Sequence, residues 1–153
     1  MFPATTRRVA EQTADSINES IRRQTDENIA RYAAGGPAAI SRRLAELDGE
    51  WDIERALEAN AAMITLIGVV LGTSVDRRWF ILPGIVGAFL LQHALQGWCP
   101  PLPVLRRLGI RTSTEIDYER YALKALRGDF KQLDTAPGSN SGLVEKTMQA
   151  IRS

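Results

Sequence analysis

Five side chains bring chemistry into otherwise apolar surroundings: Asn60, Gln92, His93, Gln96 and Cys99. Gln92, Gln96 and Cys99 recur at i, i+4 and i+7, which stacks them on one face of a helix. Polar groups of this kind are expensive in hydrocarbon and turn toward partners or water. Two readings stay open for them. They either form interhelical hydrogen bonds that hold an oligomer together, or they line a pocket or permeation path. Cys99 is the candidate functional thiol, although a lone cysteine also serves as a small buried hydrophobe. Arg106, Arg107 or His93 beside it would favour a reactive thiolate. One cysteine and one histidine exclude an intramolecular disulfide and make a self-contained metal site unexpected. No catalytic constellation is visible, so no enzymatic activity is expected and no cofactor is implied.

Two windows must position these groups, Ala59 to Val75 and Trp79 to Leu105, and neither holds an Asp, Glu, Lys or Arg. Charge crowds into the flanks: residues 1–55 hold eight Arg and ten acids, and residues 106–153 hold nine bases and six acids. This segregation predicts an all-α fold built on a two-span transmembrane helical hairpin, with polar cytoplasmic helices on both sides. The first window, extended back to Ala56, gives a span over about 56–75 if Glu58 reaches the headgroups. A helix rises about 1.5 Å per residue, so that length approaches the roughly 30 Å hydrocarbon core. The second span runs over about 79–99 and must stop near Cys99, because Pro100, Pro101 and Pro103 cannot continue a regular helix. Pro83 falls in the first turn, where it is tolerated. The connector of residues 74–78 is short enough to make the spans antiparallel neighbours. That pairing sets Asn60 near the depth of Leu95 and gathers Asn60, Gln92, His93 and Gln96 into a belt, with Cys99 just beyond.

Gly68-Val69-Val70-Leu71-Gly72 has the spacing that lets helix backbones approach closely, and Gly84, Gly87 and Ala88 offer a similar surface on the second span. Packing within the hairpin and oligomerisation both remain open for these positions. Trp51, Trp79 and Trp98 fall at the span boundaries, where interfacial aromatics anchor helices. Six arginines flank the spans (Arg42, Arg43, Arg55, Arg106, Arg107 and Arg111), against Arg77 and Arg78 in the connector. The positive-inside bias therefore expects both termini in the cytoplasm.

The flanks read as helices too. Residues 6–34 form one polar helix with a thin apolar stripe (Ile17, Ile21, Ile29, Tyr32), ended by Gly35-Gly36-Pro37. A second helix carries Ile40, Leu44 and Leu47 and closes at Asp48-Gly49, so residues 1–50 make a cytoplasmic N-terminal region and 51–112 the hairpin. Thr112 and Glu115 are spaced as a capping box. They open a helix within 113–134 that sets Ile116, Leu123, Leu126 and Phe130 near one face. Residues 135–153 read as a flexible tail with a short helix over Leu143 to Ile151. The first 55 residues have no apolar core, so no cleavable signal is expected. The net charge of +1 gives no electrostatic reason for nucleic-acid binding.

The stretch Gly97-Trp98-Cys99-Pro100-Pro101-Leu102, continued by Leu108-Gly109-Ile110-Arg111-Thr112, resembles the closing signature of the YgaP-like inner-membrane transmembrane domain family. There a second membrane helix runs into G-x-C-P, and a leucine-rich segment ends in L-G-I-x-T. The Glu54-Arg55 pair, the two-span layout and the Gly-rich first helix are similar as well, so the likeness covers Trp51 to Thr112. The resemblance implies a bacterial inner-membrane hairpin that can dimerise, joined in the namesake arrangement to a cytoplasmic rhodanese sulfurtransferase domain. This chain departs from that arrangement. No rhodanese domain is expected in it, and of the family's thiols Cys99 matches only the membrane cysteine, so sulfur transfer is not carried over. The expected role is that of an integral inner-membrane protein in contact with the lipid bilayer, a non-enzymatic homo-oligomer or subunit of a larger membrane complex. Its cytoplasmic helices would bind the partner. The alternative is a sulfur-handling or small-anion transport component that uses Cys99 and the polar belt.

Overall fold

The computed structural model describes residues 4–131, and all regular structure among them is helical. They form two units. One takes in the described part of Met1–Arg23 together with Trp51–Ile116, and the other Gln24–Glu50 with the described part of Asp117–Ser153.

The single polar helix expected over residues 6–34 is divided into α1 (Arg8–Glu11) and α2 (Asp15–Ala34). Side chains that compete with the helical ladder cause the break. Thr13 Oγ1 donates to the Val9 carbonyl at 2.7 Å, and Asn18 Nδ2 donates to the carbonyls of Ala10 and Thr13 at 2.9 and 3.3 Å. The last carbonyls of α1 are satisfied, and the chain turns. Periodicity alone carries no sign of this.

α4 (Ile53–Ser74) begins a turn before the expected span, because the Asp52 carboxylate caps it by accepting the Arg55 amide at 2.9 Å. At about 1.5 Å per residue its length is about 33 Å, enough to cross the hydrocarbon core. Asp76 then accepts the Arg78 amide at 2.8 Å and opens a 3-10 turn, Arg77–Phe80, that leads into α5 (Ile81–Gln96). The second span was expected to continue to Cys99 and stops three residues sooner. Gly97 adopts φ +81°, its amide closes on the His93 carbonyl at 2.7 Å, and a Cβ there would lie 2.5 Å from the Arg8 carbonyl oxygen. Only glycine combines that backbone with that approach.

The two spans touch through small residues. A Cβ on Gly68 would lie 2.5 Å from Cδ of Pro83, and one on Gly72 would lie 3.0 Å from the Phe80 ring. Elsewhere the apolar side chains face outward: only 22% of the most apolar stretch of the first helix and 6% of the second is buried. A soluble protein does not leave Leu66, Val70, Ile81 and Leu91 uncovered together, whereas lipid accepts them. The chain is therefore an all-α membrane protein with a two-span hairpin.

At one end of the hairpin lies a small core of Val9, Ile53, Leu57, Cys99 and Leu102, against which Trp98, Leu105 and Ile110 pack. α6 (Leu102–Arg107) supplies Leu102, and the Ile53 amide donates to the Arg111 carbonyl at 2.8 Å. In the second unit α3 (Gly36–Gly49) buries Ile40, Leu44 and Leu47. α7 (Ser113–Arg127) buries Ile116 and Leu123, but Leu126 is exposed, contrary to the common face expected for it. At about 100° per residue Leu126 stands roughly 80° round the helix from Ile116. Phe130, beyond Gly128, is half-buried. The expected tail helix over Leu143 to Ile151 lies outside the described residues.

Candidate functional site

The polar groups that meet in the hairpin unit are not mainly those brought together by spacing on one helix. Glu54, in the first turn of α4, accepts a hydrogen bond from the Arg8 guanidinium at 2.8 Å through Oε1. Its Oε2 lies 2.9 Å from His93 Nε2. With Arg8 holding Glu54 as a carboxylate, the Nε2–H of the imidazole donates. His93 is buried, and among the described residues its Nδ1 and Arg8 Nε have no hydrogen-bond partner. The result is a three-residue lock that joins α1, α4 and α5. It closes the same end of the hairpin where Val9 enters the core and the Arg8 carbonyl rests on Gly97.

Of the expected belt, only His93 enters this lock. Gln92 is half-buried, while Gln96 and Asn60 are exposed. Asn60 instead borders an apolar groove of about 220 Å³ between α4 and α5, lined also by Leu57, Ile64, Phe89, Leu90 and Cys99. Gln92, His93 and Gln96 are not among its lining residues, so of the expected belt Asn60 alone borders this groove with Cys99. Cys99 is 4% exposed within the apolar core, and neither Arg106 nor His93 bonds to it. Gly84 and Gly87 have open space where a side chain would stand, and Ala88 is exposed. Trp51 and Trp79 are exposed at the ends of the spans, and Trp98 is half-buried against the core.

A second polar cluster holds the chain that follows α6. The Arg106 side chain is fully buried and grips both Glu115 oxygens at 2.7 Å, the Ile110 carbonyl at 3.0 Å and Asn18 Oδ1 at 2.9 Å. Glu115 also accepts the Thr112 amide at 2.7 Å, and its own amide donates to Thr112 Oγ1 at 3.3 Å, so the capping box is formed in both directions. Burial pushes the Glu115 carboxyl up, but the bonds from Arg106 and Thr112 outweigh it and hold it below its ordinary value. The bidentate guanidinium–carboxylate geometry is what makes such a pair strong.

Arg8, Glu54 and Arg106 were not legible as site residues, because their partners lie up to 88 positions away. The one available signal was Glu54, an acid placed at the mouth of an apolar span. Among the described residues no three His, Cys, Asp or Glu side chains come together to hold a metal ion.

An outward-facing apolar hairpin, closed at one end by the partly buried Arg8–Glu54–His93 lock, defines an integral membrane domain. Residues 52–115 match the family described as inner membrane protein YgaP-like, transmembrane domain, and this part of the chain is similar to such a domain. No curated protein and no solved structure matches the chain.

Proposed function

We propose that the chain is a non-enzymatic accessory membrane subunit. Its hairpin anchors it in the bacterial inner membrane with both termini cytoplasmic, and its polar helices bind a partner protein. The observation that carries this reading is the face of α7. In that unit Arg43 joins Glu119, whose side chain is 0% exposed, at 2.7 Å, and Arg120 joins Asp48, so α3 and α7 are fastened together. The Glu119 hydrogen bond holds Arg43 above its ordinary pKa against the opposing effect of burial, so it stays charged. Yet Tyr118, Tyr121 and Leu126 remain exposed. Tyrosines supply large contact area at low entropic cost and are enriched at interfaces. A rigid helix pair that presents them fits a protein-binding platform, and the exposed Gly84, Gly87 and Ala88 surface fits association between copies in the membrane.

The test is photo-crosslinking from position 121 in native membranes. A defined adduct that disappears in a Tyr118→Ala/Leu126→Ala variant supports partner binding. A chain that crosslinks only to lipid, or whose adducts ignore that variant, contradicts it.

A further inference from the structure

The rim of the hairpin that carries the Glu54 lock has a second, outward-facing chemistry. Arg55 lies over the Trp51 ring, 4.4 Å from its centroid, and both residues are exposed. Stacking fixes the guanidinium plane and leaves its N–H edges free. On α6, Leu102 and Arg106 point inward while Val104 and Arg107, with Leu108 capping the helix, point outward, and Val104 and Leu108 are 57% and 73% exposed. The two elements meet at this end through the shared core of Ile53 and Leu102 and the bond from the Ile53 amide to Arg111. Neither Arg55 nor Arg107 takes part in an ion pair among the described residues, unlike Arg8 and Arg106, which their carboxylates already occupy.

The geometry points to this rim as a binding surface for anionic phospholipid headgroups. The apolar surface of α4 and α5 is already in the bilayer, and Trp51, Val104 and Leu108 continue that surface past the ends of the spans. An exposed leucine and valine on either side of a guanidinium, and an aromatic ring beneath another, suit the layer where acyl chains give way to phosphate. Arginine forks match phosphate oxygens bidentately. The nearby acids are mostly engaged: Asp52 caps α4, and Glu54 is held by Arg8 and His93. Glu58, exposed one turn further along α4, opposes the arginines and makes the proposal testable in both directions.

The test is native mass spectrometry of the full-length protein in detergent, titrated with phosphatidylglycerol and, separately, phosphatidylcholine. The wild type is expected to retain phosphatidylglycerol preferentially. Arg55→Gln and Arg107→Gln should each lower that preference about fivefold at low ionic strength, the effect of one cation near an anionic surface. Arg107→Lys, which keeps the charge but loses the fork, should retain only part of it, and Glu58→Gln should raise it. Unchanged circular dichroism shows that these surface variants remain folded. Equal retention of the two lipids by the wild type would overturn the proposal, as would an unaltered preference in the Arg55→Gln/Arg107→Gln protein. Displacement of the lipid by inorganic phosphate at matched phosphorus would show a free-anion site instead of a lipid surface, and so would overturn it too.

Discussion

Arg106 shows how much a single side chain can hold in this protein. Its guanidinium is completely buried and, among the described residues, its charge is balanced by Glu115, so removing the carboxylate strands a cation in the interior. Glu115→Ala is expected to cost roughly 3–5 kcal/mol, the usual penalty for breaking a buried pair, read as a lowered Tm in detergent. Replacing both partners with apolar residues of similar volume should cost much less. The same pair sets a pH dependence. Because Glu115 has a folded pKa below its unfolded value, its contribution is fully present above the unfolded value, near 4.5. That contribution is lost as pH falls through the lowered folded value. Wild-type Tm should therefore drop in that acid range more steeply than that of Glu115→Gln. The lock at Glu54 follows similar logic without the full burial. None of these pairings could be read from the chain, since periodicity reports neighbours on one helix and Arg8, Glu54 and His93 come from three. The Thr112–Glu115 cap was readable because both partners fall within one turn.

At the scale of elements, the hairpin depends on where backbones must approach. Gly68 meets Pro83 at a distance no Cβ tolerates, whereas Gly84 faces open space. Gly68→Val is expected to destabilise the hairpin by about 1–3 kcal/mol, as overpacking does, and Gly84→Val to leave the fold of one chain unchanged. Thermal unfolding in detergent separates the two. Weaker self-association in Gly84→Val at unchanged Tm would further support contact between copies. The two spans were legible because charge avoids them over long windows, and their ends because Gly, Pro and Asp punctuate them. Two boundaries escaped that reading. α1 and α2 separate through side-chain bonds at Thr13 and Asn18, and α5 ends early because Gly97 must admit the Arg8 carbonyl. Both depend on contacts made only after folding. Gly97→Ala, strained in φ and in space, should loosen α1 from the hairpin, and faster proteolysis near Arg8 would register it.

For the whole molecule, the central claim is that residues 52–115 cross a bilayer twice and return the chain to the side from which it entered. The apolar surface left open along α4 and α5 argues for it, as does the match to a transmembrane domain family. The measurement that tests it most directly is side-specific labelling of single cysteines in a Cys99→Ala background, with a membrane-impermeant thiol reagent on oriented vesicles. Arg77→Cys, in the connector, should label from one face only. Glu19→Cys and Tyr118→Cys, in the flanking helices, should both label only from the opposite face. Labelling of all three from the same face, or release of the protein into buffer by an alkaline wash without detergent, would contradict the account.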